Sequence, residues 1–110
     1  MRAIGSVDQM ASVLEAAAKI GINHLETSPA YGPAEQFLGE ALQNCSTLPE
    51  GGWVTTSKLL PGLSLVEGQQ QLDEILHRLG LNTLDNLAVH GINRQEHLEW
   101  ALSGDGAQLL

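Results

Sequence analysis

Apolar positions along the chain first follow a helical period. Met10, Val13, Leu14, Ala17 and Ala18 share one face, with Ser6 and Gln9 disposed as a capping box ahead of them and Gly21 as the stop. Ala34, Phe37, Leu38, Ala41 and Leu42 repeat the pattern after Gly32-Pro33, where proline at the first helical position gives up no needed hydrogen bond. Leu65, Leu72, Ile75, Leu76 and Leu79 mark a third face, opened by a Ser64/Glu67 capping box and closed by Gly80. Gly68 weakens that helix by about 1 kcal/mol relative to alanine. A last helix is predicted from Asn93 as cap, with Glu96 three residues on, carrying Leu98, Ala101 and Leu102 as far as Ser103-Gly104-Asp105-Gly106; the residues beyond are expected to fray.

Between these helices lie three short runs of a different kind. Ile22-Asn23-His24-Leu25-Glu26 is bounded by Gly and by Thr-Ser-Pro and reads as a strand ending in an acid. Trp53-Val54-Thr55-Thr56-Ser57 is rich in β-branched and aromatic residues and runs into Lys58. Asn86-Leu87-Ala88-Val89 suits a strand buried on both faces, and runs into His90. The order α-β-α-β-α-β-α, in units of roughly 30 residues, is that of right-handed βαβ crossovers feeding a parallel sheet. Periodicity leaves an α/β barrel and an open doubly wound sheet equally open.

Composition narrows the partners. The 110 residues fit one domain, and 43% hydrophobic content is ordinary for a globular α/β protein. A formal charge of -8 would repel a phosphate backbone or an anionic membrane face, which argues against nucleic acid and membrane partners. Cys45 stands alone, without metal-ligand spacing to another Cys or His, and reads as a small packing residue. No apolar stretch is long enough for a membrane span or has the form of a signal-peptide core, and a cytoplasmic location follows by elimination.

In parallel α/β folds reactive groups gather at the carboxyl ends of strands. Here Glu26, Lys58 and His90 follow the three strand-like runs, and Tyr31 lies in the loop leaving the first. Each alone has an ordinary explanation as a solvated strand end or an amphipathic packing residue; three chemical types at successive strand ends point to a site. His24, His77 and His97 sit inside periodic segments with no partner implied, and Trp53, Trp100 and Phe37 read as packing residues.

The run from Gly21 to Gly32, with Glu26-Thr27 and Tyr31-Gly32, followed by Glu35, Leu38-Gly39 and Ala41-Leu42, resembles the aldo-keto reductase signature. The resemblance continues through Val54-Thr55-Thr56-Ser57-Lys58, the stretch from Leu76 to Leu81, Leu84-Asp85 and His90-Gly91. It implies the early part of a (β/α)8 TIM barrel, about three parallel strands with four flanking helices, forming over residues 1–110 one incomplete domain. It also implies NADP-dependent reduction of a small-molecule aldehyde or ketone. Glu26, Tyr31, Lys58 and His90 match the family's catalytic positions: Tyr31 as proton donor, Lys58 as the ammonium beside it, Glu26 as the lysine's ion-pair partner and His90 as the group orienting the carbonyl. Most of the family has Asp where this chain has Glu26, which lengthens the reach by one methylene.

Length sets a limit on that reading. A complete barrel has eight strands and about 250 residues, and its phosphate site usually lies after the seventh and eighth strands. The family's NADP-binding segments are therefore expected to be missing, and the chain to be a truncated form inactive alone. The alternatives are a non-catalytic interaction module docking or self-associating through open sheet edges, and an aldolase-like barrel using Lys58 as a Schiff-base lysine.

Overall fold

The computed structural model describes residues 6–45 and 47–110. Its elements are α1 (Val7–Lys19), β1 (His24–Glu26), α2 (Ala34–Asn44), β2 (Val54–Leu59), α3 (Leu65–Leu79), β3 (Asn86–Val89), α4 (Gln95–Leu102) and α5 (Asp105–Leu109). Side-chain caps set two of the helix starts. Ser6 Oγ accepts from the Gln9 N–H at 3.1 Å to open α1, and Ser64 and Glu67 exchange the two bonds of a capping box at the start of α3. At the other end of α1, the N–H groups of Gly21 and Ile22 bond back to the Ala18 and Ala17 carbonyls. Those donors are thereby unavailable to the sheet, which is why β1 starts at His24 rather than at the expected Ile22.

The three strands are parallel, in the order β1-β2-β3, with His24 opposite Val54, Glu26 opposite Thr56, and Lys58 opposite Ala88. β2 is longer than expected: it starts one residue later and runs through Lys58 to Leu59, so Lys58 lies within the strand rather than after it. β3 falls on the expected residues, but as an edge strand it is not buried on both faces; Asn86 is exposed and Leu87, Ala88 and Val89 are half-buried.

Side chains on the sheet alternate in role. Leu25, Leu59 and Leu87 pack with Met10, Leu14, Leu38, Ala41, Ile75 and Leu79 into the core beneath α1, α2 and α3. Phe37 and Trp53 pack against the same cluster, as expected. Val13 does not: it is exposed, because the buried face of α1 is centred on Val7, Met10, Ala11 and Leu14, rotated away from Val13 by less than half of one residue's step relative to the face read off the sequence.

The end of the chain departs most from expectation. α4 is capped by Arg94 rather than Asn93 and buries Trp100, leaving Leu98 and Leu102 exposed. The residues expected to fray form α5, a fifth helix. Its Asp105 carboxylate accepts from the Leu65 N–H at 3.2 Å, and its Leu109 lies on Gly68 of α3. A Cβ at Gly68 would collide with the Leu109 side chain, so the glycine that weakens α3 locally is also what lets α5 seat. Gly39 plays the same part between α2 and α3, where a Cβ would run into the Arg78 carbonyl.

One buried polar group ties this layer together. Glu35, 1% exposed, accepts from Arg78 Nε at 3.1 Å, from Arg78 Nη2 at 3.0 Å and from Ser57 Oγ at 2.6 Å, joining α2 to α3 and to β2.

Candidate active site

Parallel strands present their carboxyl ends along one edge of the sheet, and the register sets which side chains meet there. Glu26 and Lys58 stand on the face opposite the core, Lys58 one pleat further toward the carboxyl end. Lys58 Nζ bonds Glu26 Oε1 at 2.7 Å and donates to Tyr31 Oη at 2.7 Å. Tyr31 is carried there by two tight turns, its own N–H bonding the Ser28 carbonyl and its carbonyl accepting from Ala34. His90 continues the ladder past β3 through its N–H to the Leu59 carbonyl, and its ring meets the Tyr31 ring edge-on with centroids 5.6 Å apart. All four residues singled out in the sequence thus converge on one patch, with the Lys58 side chain 15% exposed and Tyr31 39% exposed.

The electrostatics follow from the contacts. The Lys58 hydrogen bond and charge hold the Glu26 carboxyl below its ordinary range, and His24 adds to the effect. Lys58 is pushed above the ordinary lysine range, first by its bond to Glu26 and then by its bond to Tyr31. Because Lys58 has only protons to give, the Tyr31 oxygen accepts that bond and its own proton is left to point toward the open side.

Below this patch, His24 Nε2 bonds Thr56 Oγ1 at 2.7 Å and Asn86 Nδ2 donates to the same oxygen at 3.2 Å. A nicotinamide dinucleotide fits only in part. Tyr31, Lys58 and His90 suit its reacting end, but its phosphates find no cradle among the described residues. Lys58 is engaged with Glu26, Arg78 with Glu35 and Glu74, and Lys19 lies in the last turn of α1, which among the described residues leaves Arg94 as the free cation near the carboxyl edge.

The sequence profile of the Aldo/keto reductase family matches residues 6–104. The chain belongs to the aldo/keto reductase family. Among solved structures it is similar to a Pseudomonas aeruginosa protein assigned to the aldo-keto reductases, at 28% identity and a TM-score of 0.79 over 98% of this chain. It is also similar to a thermostable aldo-keto reductase, Tm1743, crystallised with the inhibitor epalrestat (25% identity, TM-score 0.71, 94% of this chain), and to a protein assigned as a 2,5-diketo-D-gluconic acid reductase B (26%, 0.67, 91%). The chain spans 45% of the first of these structures and 38% of each of the other two. Comparison with curated proteins returned no match.

The three strands and their helices are accordingly part of the aldo-keto reductase barrel. Sequence reasoning placed Glu35 and Arg78 within the family's pattern but did not foresee their buried pairing. An acid in the first turn of a helix reads as a partner for the helix dipole, and only the tertiary approach of α3 and β2 makes it a buried acceptor. His24, read as partnerless, bonds Thr56, and Ser28, read as turn punctuation, touches His90. Neither pairing has a local signal, since each joins residues far apart in the chain.

Proposed function

We propose that this chain carries the proton-transfer group of an NADP-dependent reductase acting on aldehydes or ketones, with Tyr31 as the acid. The observation that carries the reading is the single ammonium of Lys58, held at 2.7 Å from both Glu26 and the Tyr31 hydroxyl, beside the His90 ring. A reduced nicotinamide, when bound, would supply the hydride to the carbonyl carbon. The chain's own residues do the rest: His90 orients the carbonyl oxygen, Tyr31 passes its proton to that oxygen, and Lys58 stabilises the phenolate left behind. Glu26 keeps the lysine charged and in place.

The same geometry argues against a Schiff-base role for Lys58. An amine bonded to a carboxylate and shifted upward stays an ammonium at neutral pH and has no lone pair for attack. Because the described residues cradle no phosphates, the chain by itself is expected not to bind NADPH. Fluorescence titration checks this, and micromolar binding would overturn it. Tyr31 is tested by grafting residues 6–104 into the corresponding part of the Pseudomonas aeruginosa relative and following NADPH oxidation with an aromatic aldehyde. Tyr31→Phe should lower turnover roughly a hundred- to ten-thousand-fold, the usual contribution of a general acid; unchanged turnover would remove Tyr31 from the role.

A further inference from the structure

Ser28 is fully buried, and its hydroxyl lies 2.7 Å from His90 Nδ1. The same oxygen already accepts the Ala30 N–H at 3.1 Å. Two arrangements satisfy the shorter contact. If His90 donated from Nδ1, Ser28 Oγ would accept twice and its own proton, shut away from water, would have no acceptor among the described residues. If Ser28 donates to Nδ1, the Ser28 hydroxyl, the Ala30 N–H and Nδ1 are all satisfied. The second arrangement fixes the imidazole as the tautomer with its proton on Nε2, a nitrogen that no described residue hydrogen-bonds.

We infer that Ser28 is a positioning residue for His90: the relay from the Ala30 N–H through the Ser28 hydroxyl to Nδ1 locks the ring so that Nε2–H is presented as a donor to an acceptor oxygen. On the proposed reductase reading, that acceptor is the substrate carbonyl. The relay also ties the loop bearing Tyr31 to the end of β3, because Ser28 and Ala30 precede Tyr31 in one turn while His90 directly follows the far strand. The proton donor and the orienting group are thereby set against each other by one hydroxyl, and the 67° angle between the Tyr31 and His90 rings is held from the side away from the open patch.

The test is long-range proton–nitrogen NMR on the 110-residue chain, labelled at histidine, at a pH where the ring is neutral. Wild-type His90 should show an unprotonated Nδ1 with the shift of a hydrogen-bond acceptor. Ser28→Ala, which removes only the hydroxyl oxygen from a buried site, should move Nδ1 toward the position of a free imidazole nitrogen and raise the population of the Nδ1–H form. Ser28→Thr, which keeps the hydroxyl, should restore the wild-type signature. A protonated Nδ1 in the wild-type chain overturns the relay without recourse to any variant, as does a Nδ1 signal indifferent to Ser28→Ala. Aldehyde reduction by the grafted barrel separates this from the functional proposal. A ring that responds to Ser28 in a barrel without turnover sinks the reductase reading and leaves the relay, whereas turnover with an indifferent ring does the reverse.

Discussion

Glu26 and Lys58 form a pair whose partners titrate at opposite ends of the pH scale, and the signs of their shifts set the range over which it contributes. Glu26 is held below its ordinary 4.5, so its contribution to stability is complete above that value and is lost as pH falls through the depressed one. Lys58 is raised above 10.5, so its contribution is complete below that value and is lost as pH climbs through the raised one. Glu26→Gln should therefore remove a small contribution at neutral pH and flatten the acid side of the stability profile, so that the urea midpoints of variant and wild type differ at about pH 7 and draw together toward about pH 3. An equally steep acid loss in the variant would count against the pair. Glu35 is the opposite case, a carboxylate sealed from water. Arg78→Met strands it with Ser57 as its remaining partner and should cost about 3 kcal/mol, the low end for breaking a buried pair because Arg78 is partly solvated. Denaturant unfolding measures it, and a loss within about 0.5 kcal/mol, typical of surface substitutions, would mean that the carboxylate finds water after all.

At the scale of elements, helices with strong periodicity and good caps were legible and their contacts were not. Ser64, Glu67 and Gly80 delimit α3 in the sequence as they do in the fold, because capping is a matter of three or four neighbouring residues. α5 was invisible for the complementary reason: five residues hold no period, and the helix exists through Trp100 over Gly106, Asp105 on Leu65 and Leu109 on Gly68. Gly39 and Gly68 turn this into a contrast. Gly39→Ala places its methyl against the Arg78 backbone, which cannot swing aside, and should destabilise by about 1–3 kcal/mol despite the better helix propensity of alanine. Gly68→Ala meets only the end of a leucine side chain; it should be nearly neutral in overall stability while loosening α5. Thermal melts read the first difference and amide exchange at residues 105–109 the second. Equal effects at both sites would show that the nature of the neighbour does not matter.

For the molecule as a whole, β1 and β3 are edges whose outer backbone groups pair with no described strand, and such edges favour association. Sedimentation velocity across a concentration series should show reversible self-association of the chain, and a strictly monomeric species would refute that expectation. No helix among the described residues is long and apolar enough to cross a membrane. The sheet itself divides its labour by parity. Odd-numbered Leu25, Ser57, Leu59 and Leu87 face the helices, whereas even-numbered His24, Glu26, Thr56, Lys58 and Asn86 face the other way and carry the polar chemistry. Point substitutions can thus alter what the site does while leaving the core alone. Insertion or deletion of one codon within β2 has no such freedom: it would turn Leu59 outward and Lys58 into the core, exchanging what folds for what reacts. Gene variants of this strand should therefore change by substitution and never in length.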